Sequence, residues 1–209
     1  IIGADAGMDD RVLSFLESCR PGERFRVIQQ PHQPAGMTVQ FGYGHDALAT
    51  AYGEAMARLS QGERLWIGCG EKSRAIEAAR VLADNTTGKR ILLLHGDNRE
   101  NAAQAEFWRD PEAVSRTYDC VIHTGVISSG MSIEHRDGPH FTHGMMLASG
   151  ATITPADALQ MLRRVRYLKT WTVAATPNNA RDMDNADAIL AGMEQSADLE
   201  GLTLKGCTD

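Results

Sequence analysis

The chain has 209 residues, 43% of them apolar, enough for one domain of ordinary to large size with a packed core, which excludes wholesale disorder. A net charge of −6 excludes a module that coats nucleic acid through bulk charge, but leaves room for a local cationic strip. No apolar run nears the roughly 20 residues that span a bilayer, no signal peptide opens the chain, and the four scattered cysteines form no CxxC pair or zinc spacing, which fits a reducing, cytoplasmic compartment.

Taken in order, Ile1-Ile-Gly-Ala reads as the end of a buried strand, with Asp9 or Asp10 capping a helix through Val12, Leu13, Phe15 and Leu16. Phe25 to Ile28 is a short strand candidate. Residues 29–45, rich in Gln, Pro and Gly, read as a loop or connection. Ala47, Leu48, Ala51, Ala55 and Leu59 recur at helical spacing. Leu65-Trp-Ile67 is a strand, followed by Gly68-Cys-Gly-Glu-Lys-Ser73 and a helix over 74–82. Residues 90–94 form a strand that runs into His95-Gly-Asp97, with helices from Asn101 and from Pro111. Asp119 to Ile122 is a strand ending at Thr124, and Gly144 to Ala148 is another. Thr154-Pro155 opens a helix that carries Gln160 and an arginine cluster, with Thr as N-cap and Pro at the first helical position. Trp171 to Ala175 is the last strand, and residues 178–209 are polar. Short strands alternating with helices predict an α/β fold of three layers, with a mainly parallel sheet covered on both faces.

In such sheets ligands gather at the carboxyl ends of the strands. Here those ends carry Gly68 to Ser73, His95 to Asp97, and Thr124-Gly125, all small or polar residues that let backbone amides approach an anion. Each alone is equally good turn chemistry. The Lys72-Ser73 pair invites comparison with the phosphate-binding GxxxxGK[ST] loop, but Glu71 stands where the second glycine belongs and sets a carboxylate against a phosphate. A weaker role remains, in which the amides opening the next helix hold one nucleic-acid phosphate with Lys72 or Ser73. Between residues 160 and 170 lie Arg163, Arg164, Arg166 and Lys169 with no acid among them. Gln160 and Arg164, four apart, share a helix face, whereas Arg166 cannot point the same way on a regular helix unless the helix ends near there, or it serves another contact. The plain alternative is a solvated surface helix whose arginines pair with acids. His135, His140 and His143 lie close together and read as polar loop histidines rather than a metal site. Trp108, Trp171 and Tyr167 read as core or half-buried aromatics.

Two stretches carry a family likeness. Thr124-Gly-Val-Ile-Ser-Ser-Gly130-Met-Ser132 and Gln160-Met-Leu-Arg163-Arg164-Val-Arg166 resemble, in order and spacing, motifs of the second RecA-like domain of superfamily 2 helicases. The compact Arg-Val-Arg and Gly-Met-Ser forms are similar to those of herpesvirus origin-binding proteins and of plasmid and phage replication helicases. Ser132 stands in place of an Asp, Arg163 in place of a Gly, and Arg166 comes one position early.

The resemblance implies a P-loop NTPase-type RecA-like domain over residues 46–176. Residues 1–30 would be the end of the preceding motor domain, 31–45 the connection, and 177–209 a polar C-terminal extension. It implies the C-terminal motor lobe of an ATP-dependent DNA helicase or translocase used in replication. Gln160, Arg164 and Arg166 would reach the phosphates as catalytic residues. Gly130, Ser132 and Asp5 would line the nucleotide cleft. Thr124, Lys72, Ser73, Gly96 and Ser128 would grip one nucleic-acid strand. ATP and Mg²⁺ belong to the longer parent, whose Walker motifs would precede Ile1, so the chain alone should hold neither and should not hydrolyse ATP. Implied partners are single-stranded nucleic acid, DNA over RNA, and the N-terminal motor domain, with no membrane. Two other readings are an interaction domain that keeps a helicase-like fold without its chemistry, and a small-molecule enzyme on a doubly wound sheet.

Overall fold

The computed structural model describes residues 10–22, 36–127, 131–149 and 153–177. Ahead of the sheet lies α1 (Asp10–Cys19). Then follow β1 (Thr38–Tyr43), α2 (Ala47–Ser60), β2 (Leu65–Cys69), α3 (Lys72–Asn85), β3 (Ile91–Leu94), α4 (Ala102–Arg109), α5 (Pro111–Ser115), β4 (Cys120–His123), β5 (His143–Ser149), α6 (Pro155–Leu162) and β6 (Thr170–Thr176). The six strands pair in the order β1-β6-β5-β2-β4-β3, every ladder parallel. The expected three-layer α/β architecture is therefore present.

Strand alternation divides the core between the two faces of the sheet. On one face Leu65, Ile67, Cys69, Cys120, Ile122, Met145 and Leu147 meet α2 and α3. Those helices present Ala51, Ala55, Ala75 and Ala78 there, small side chains that let a helix lie close to the sheet. On the other face Trp66, Leu92, Leu94, Val121, Met146 and Trp171 meet Phe107 of α4, Val114 of α5, and Met161 and Leu162 of α6. Both faces of β2 and β4 are buried, which is why their sequences read as unbroken apolar runs. Burial also raises the thiol pKa values of Cys69 and Cys120, so both sit as inert core residues.

The structure corrects the reading of residues 29–45 as loop. Thr38–Tyr43 is an edge strand in register with β6. Val39, Phe41 and Tyr43 do alternate with Thr38, Gln40 and Gly42, but the surrounding Gly, Pro and Gln obscured that two-residue period. The strand candidates at 1–4 and 25–28, and the polar segment 178–209, lie outside the described residues.

One glycine is fixed by packing rather than by backbone angle. Gly144 is paired with both Trp66 and Trp171. A Cβ on it would come within 1.9 Å of the Trp171 ring. The missing side chain is the space the indole fills, in an interior packed too densely to shift. Gly144→Ala should therefore destabilise the fold by about 2–3 kcal/mol through overpacking. Gly53→Ala, on an exposed helical position where a Cβ meets nothing within 4 Å, should stabilise by up to about 1 kcal/mol. Urea unfolding midpoints for the two variants check this pair; equal shifts would contradict it.

Candidate functional site

The strand order sets the loops after β2, β4 and β3 side by side, which gathers Lys72 and Ser73, Thr124, and Gly96 along one edge of the sheet. Thr124 donates its N–H to the Leu94 carbonyl at 3.1 Å and follows directly on buried β4. Gly96 opens a short 3-10 turn and is exposed. Acids share this edge. The Lys72 ammonium pairs with Asp97, which holds that carboxyl below its ordinary pKa. Glu71, at the N-cap of α3, accepts hydrogen bonds from the Ser73 and Ser149 hydroxyls. A phosphate approaching Lys72 or Ser73 thus has to displace a carboxylate from each.

The second group forms where α6 stops. Thr154 caps that helix by accepting the Asp157 N–H at 3.2 Å, and Pro155 opens it, as its sequence predicts. The helix ends at Leu162, however, before the arginines. The expectation that Arg164 continues the helical face of Gln160 is corrected. Val165 instead makes a parallel bridge with Ile133. Ile133 donates its N–H to the Arg164 carbonyl at 2.7 Å, and Arg166 donates its own to the Ile133 carbonyl at 3.0 Å. Arg164 and Arg166 thus flank buried Val165, and both reach the 131–132 segment. Arg164 donates from Nη1 to the Met131 carbonyl at 3.0 Å, and Arg166 from Nε to Ser132 Oγ at 3.0 Å. Partial burial, and then the charge of Arg166, lower the Arg164 pKa, while Arg166 stays exposed. Gln160 is half-buried on α6.

The bridging loop is itself anchored from behind. The Tyr167 hydroxyl accepts the N–H groups of His140 and Phe141, each at 3.0 Å. Its own proton therefore goes to His135 Nδ1, at 2.7 Å. That assignment leaves the proton of neutral His135 on Nε2, facing Ser115 Oγ at 2.9 Å and the Glu112 carbonyl at 3.2 Å. The Glu112 carboxylate takes the N–H groups of Glu134 and His135. His135, at a φ of 41°, is held by this network in a backbone conformation uncommon for a side-chain-bearing residue. His135 and His140 do lie in the loop before β5 and His143 opens that strand, but all three are buried rather than solvated. Among the described residues no cluster has the make-up of a metal site.

His123, the last residue of β4, also lies in the interior. Its Nδ1 meets the Thr124 carbonyl at 3.0 Å, while Nε2 is buried without a partner. Burial, and then the nearby Arg164 charge, push its pKa down to about 4.

The structure thus brings Ser132, Arg164 and Arg166 together at one point, and Lys72, Ser73, Gly96 and Thr124 along the strand-end edge. Asp5, Ser128 and Gly130 lie outside the described residues. Sequence reasoning missed Met131, Ile133 and Val165 as the frame of the arginines, and Tyr167 as the anchor behind them. An apolar residue between two arginines was a usable signal that this turn has a buried anchor; nothing local pointed to Tyr167.

No family model and no curated protein matches the chain. Solved structures do resemble it. S. cerevisiae Dbp5 bound to RNA and ADP BeF3 aligns over 91% of this chain and 47% of that one, at 18% identity and a TM-score of 0.53. A variant of that protein in the same kind of complex gives 15% identity and a TM-score of 0.55, with the same coverage. Mss116p DEAD-box helicase domain 2 bound to an RNA duplex aligns over 79% of this chain and 78% of that one, at 10% identity and a TM-score of 0.50. The chain spans about half the length of the Dbp5 chains it matches. At these identities the likeness is one of fold: the architecture is that of the RecA-like domains of helicases. Among the described residues no helix is long and apolar enough to cross a membrane.

Two outcomes follow from the buried polar groups. Because the folded-state pKa of His123 is lowered, the unfolded chain takes up its proton first on acidification. Stability is therefore complete above the ordinary value of 6.5 and is lost as pH falls towards about 4, by up to ~3 kcal/mol from this residue. The lowered values of His135, His140 and His143 add in the same direction. Urea midpoints measured at falling pH check the slope, and His123→Leu should flatten it. Tyr167→Phe should cost about 2–4 kcal/mol by orphaning its buried partners, with faster amide exchange at His140 and Phe141 than elsewhere; uniform acceleration would point to global destabilisation alone.

Proposed function

We propose that this chain is the C-terminal motor lobe of an ATP-dependent DNA helicase or translocase that serves replication, in the branch that the Arg-Val-Arg and Gly-Met-Ser forms resemble. The single observation that carries the reading is the convergence of Arg164, Arg166 and Ser132 around the Ile133–Val165 bridge, on a fold shared with helicase domains. Two guanidinium groups and a hydroxyl suit an anion such as a phosphate. Magnesium does not suit this donor set, which offers no carboxylate. The metal, with the β- and γ-phosphate cradle, would be held by the N-terminal lobe of the parent.

The two arginines divide the work. Arg164 is partly buried and donates to the Met131 carbonyl, so it braces the loop. Arg166 is exposed and donates from Nε to Ser132 Oγ, so it is the group offered to the γ-phosphate of a nucleotide bound by the facing lobe. A positive charge aimed there stabilises the transferring phosphoryl group without covalent chemistry. Thr124, Gly96, Lys72 and Ser73 would contact the backbone of one strand, and lobe closure and reopening would advance it. The RNA in the Dbp5 and Mss116p complexes makes RNA the necessary second arm of any binding test.

A second reading, a helicase-like fold kept for protein contacts alone, draws on the acids at the strand-end edge, where Asp97 holds Lys72 and Glu71 holds Ser73. Turnover decides between them. In the protein containing both lobes, Arg166→Ala should lower kcat for ATP roughly 10³-fold or more with KM little changed. Ser132→Ala, which frees Arg166 Nε, should lower kcat by roughly tenfold or less. Stimulation by single-stranded DNA over RNA supports the substrate assignment; stimulation by RNA alone revises it. Wild-type turnover that Arg166→Ala leaves unchanged, or no turnover at all, favours the interaction domain.

A further inference from the structure

Strand β1 ends the sheet, and among the described residues its one ladder is to β6. Thr38 and Gly44 donate their N–H groups to the Lys169 and Ala175 carbonyls, at 2.7 and 3.1 Å. The even-numbered residues therefore face β6, and alternation turns the N–H and C=O groups of Val39, Phe41 and Tyr43 to the open edge. Folded proteins blunt such edges with charges or proline; β1 has neither. Its two faces differ. The register Val39↔Trp171 and Phe41↔Val173 puts Val39, Phe41 and Tyr43 on the α6 side of the sheet, where they are 47%, 67% and 69% exposed. On the α2 side a groove of about 460 Å³ runs between β1 and the first turns of α2. Its lining includes two carboxylates, Asp46 and Glu54, and no lysine or arginine. Asp46 stands exposed at the N-cap of α2, without a side-chain hydrogen bond to the helix. Glu54 accepts from Thr172 Oγ1 at 3.0 Å and from Arg58 Nε at 2.8 Å, but Arg58 is shared with Glu63.

We propose that this edge takes an extended segment of a partner protein, in which lysine or arginine alternates with apolar residues, as an added strand. The outward N–H and C=O groups of Val39, Phe41 and Tyr43 supply the main-chain hydrogen bonds of strand addition. One face of the added strand stands beside those three side chains, and cross-strand pairing there favours apolar partners. Its other face stands beside Gln40 and Gly42. Gly42 has no side chain to close the groove, and Asp46 and Glu54 beyond it favour a cation. Charge complementarity therefore sets the polar positions of the partner. The same carboxylates repel phosphates, which disfavours a nucleic-acid strand stacking its bases on Phe41 and Tyr43. β6 and β5 separate this edge from β2 and the Lys72 loop. The site stands whether or not Arg166 acts on a nucleotide.

A short fluorescent peptide of alternating arginine and valine, titrated into the 209-residue chain and followed by anisotropy, tests the proposal. It should bind, and the same residues in block order, equal in charge, should bind roughly tenfold more weakly or worse. In the complex the amides of Val39, Phe41 and Tyr43 should slow in hydrogen exchange. Those of Gln40 and Gly42, already in the ladder with β6, should stay as they were. Asp46→Asn should weaken binding several-fold and reduce its salt dependence. Phe41→Pro, which removes an outward N–H that no ladder uses, should abolish binding while β2 and β4 amides keep their protection. No binding, equal binding of the block-order peptide, indifference to Asp46→Asn, or binding that leaves the three amides unchanged overturns the proposal. So does protection of those amides in the free chain: lost on dilution, it seats a second copy on the edge; kept, it seats a segment of the chain itself. A labelled oligothymidine that binds the wild type but not Phe41→Pro also overturns it, and makes the stripe a base-stacking platform.

Discussion

Two backbone hydrogen bonds on Ile133, one to the Arg164 carbonyl and one from the Arg166 N–H, hold the candidate site together. They splice the loop that follows β4 to the turn that follows α6, two segments about thirty residues apart in sequence. Everything cationic at the site hangs from that splice. The helix stops before it, and Arg164 and Arg166, on either side of Val165, take consecutive residues, Met131 and Ser132, as their partners. Val165 and Ile133, both fully buried, anchor it in the same apolar layer as Trp66 and Phe141. A site built on such a splice inherits the rigidity of the core beneath it.

The electrostatics follow the same logic of local concentration. The chain is acidic overall, yet the turn after α6 gathers Arg163, Arg164 and Arg166, with Arg164 donating to the Met131 carbonyl and Arg166 to Ser132 Oγ. The strand-end edge is organised in the opposite sense. Its lysine and its serines are engaged by Asp97 and Glu71. The guanidinium groups after α6 are bonded to a carbonyl and a hydroxyl, whereas an anion at the strand-end edge would have to exchange places with a carboxylate. Behind both, histidines stay neutral because burial opposes the charged form, so the interior adds no positive charge of its own at neutral pH.

Much of this was legible in the sequence. The strands from β2 to β6 announced themselves as short apolar-rich runs, most cleanly β2 and β4, which are buried on both faces of the parallel sheet. Thr154 and Pro155 marked the start of α6 by chemistry that acts within one turn. What escaped was decided at a distance. β1 hid because an edge strand needs only half its positions apolar, and its neighbours were Gly, Pro and Gln. The end of α6 hid because Arg163 and Arg164 are good helix formers, and only pairing with Ile133 stops them. The role of Tyr167 depends on Glu112, Ser115, His135 and His140, which no local pattern links. The fold was readable from periodicity; the geometry of the candidate site was readable only in part, because its key contacts are tertiary.

The strand order has a consequence for how the chain is made. Among the described residues β1 is the earliest strand of the sheet in sequence, and its one ladder there is to β6, the last. On a ribosome the four inner and far-edge strands can pair as they emerge, but β1 has no partner until nearly the whole sheet has been synthesised. Its backbone must wait in solution, apolar side chains included, through the synthesis of everything between. Loss of β6 from a shortened product would therefore remove two strands from the sheet, not one.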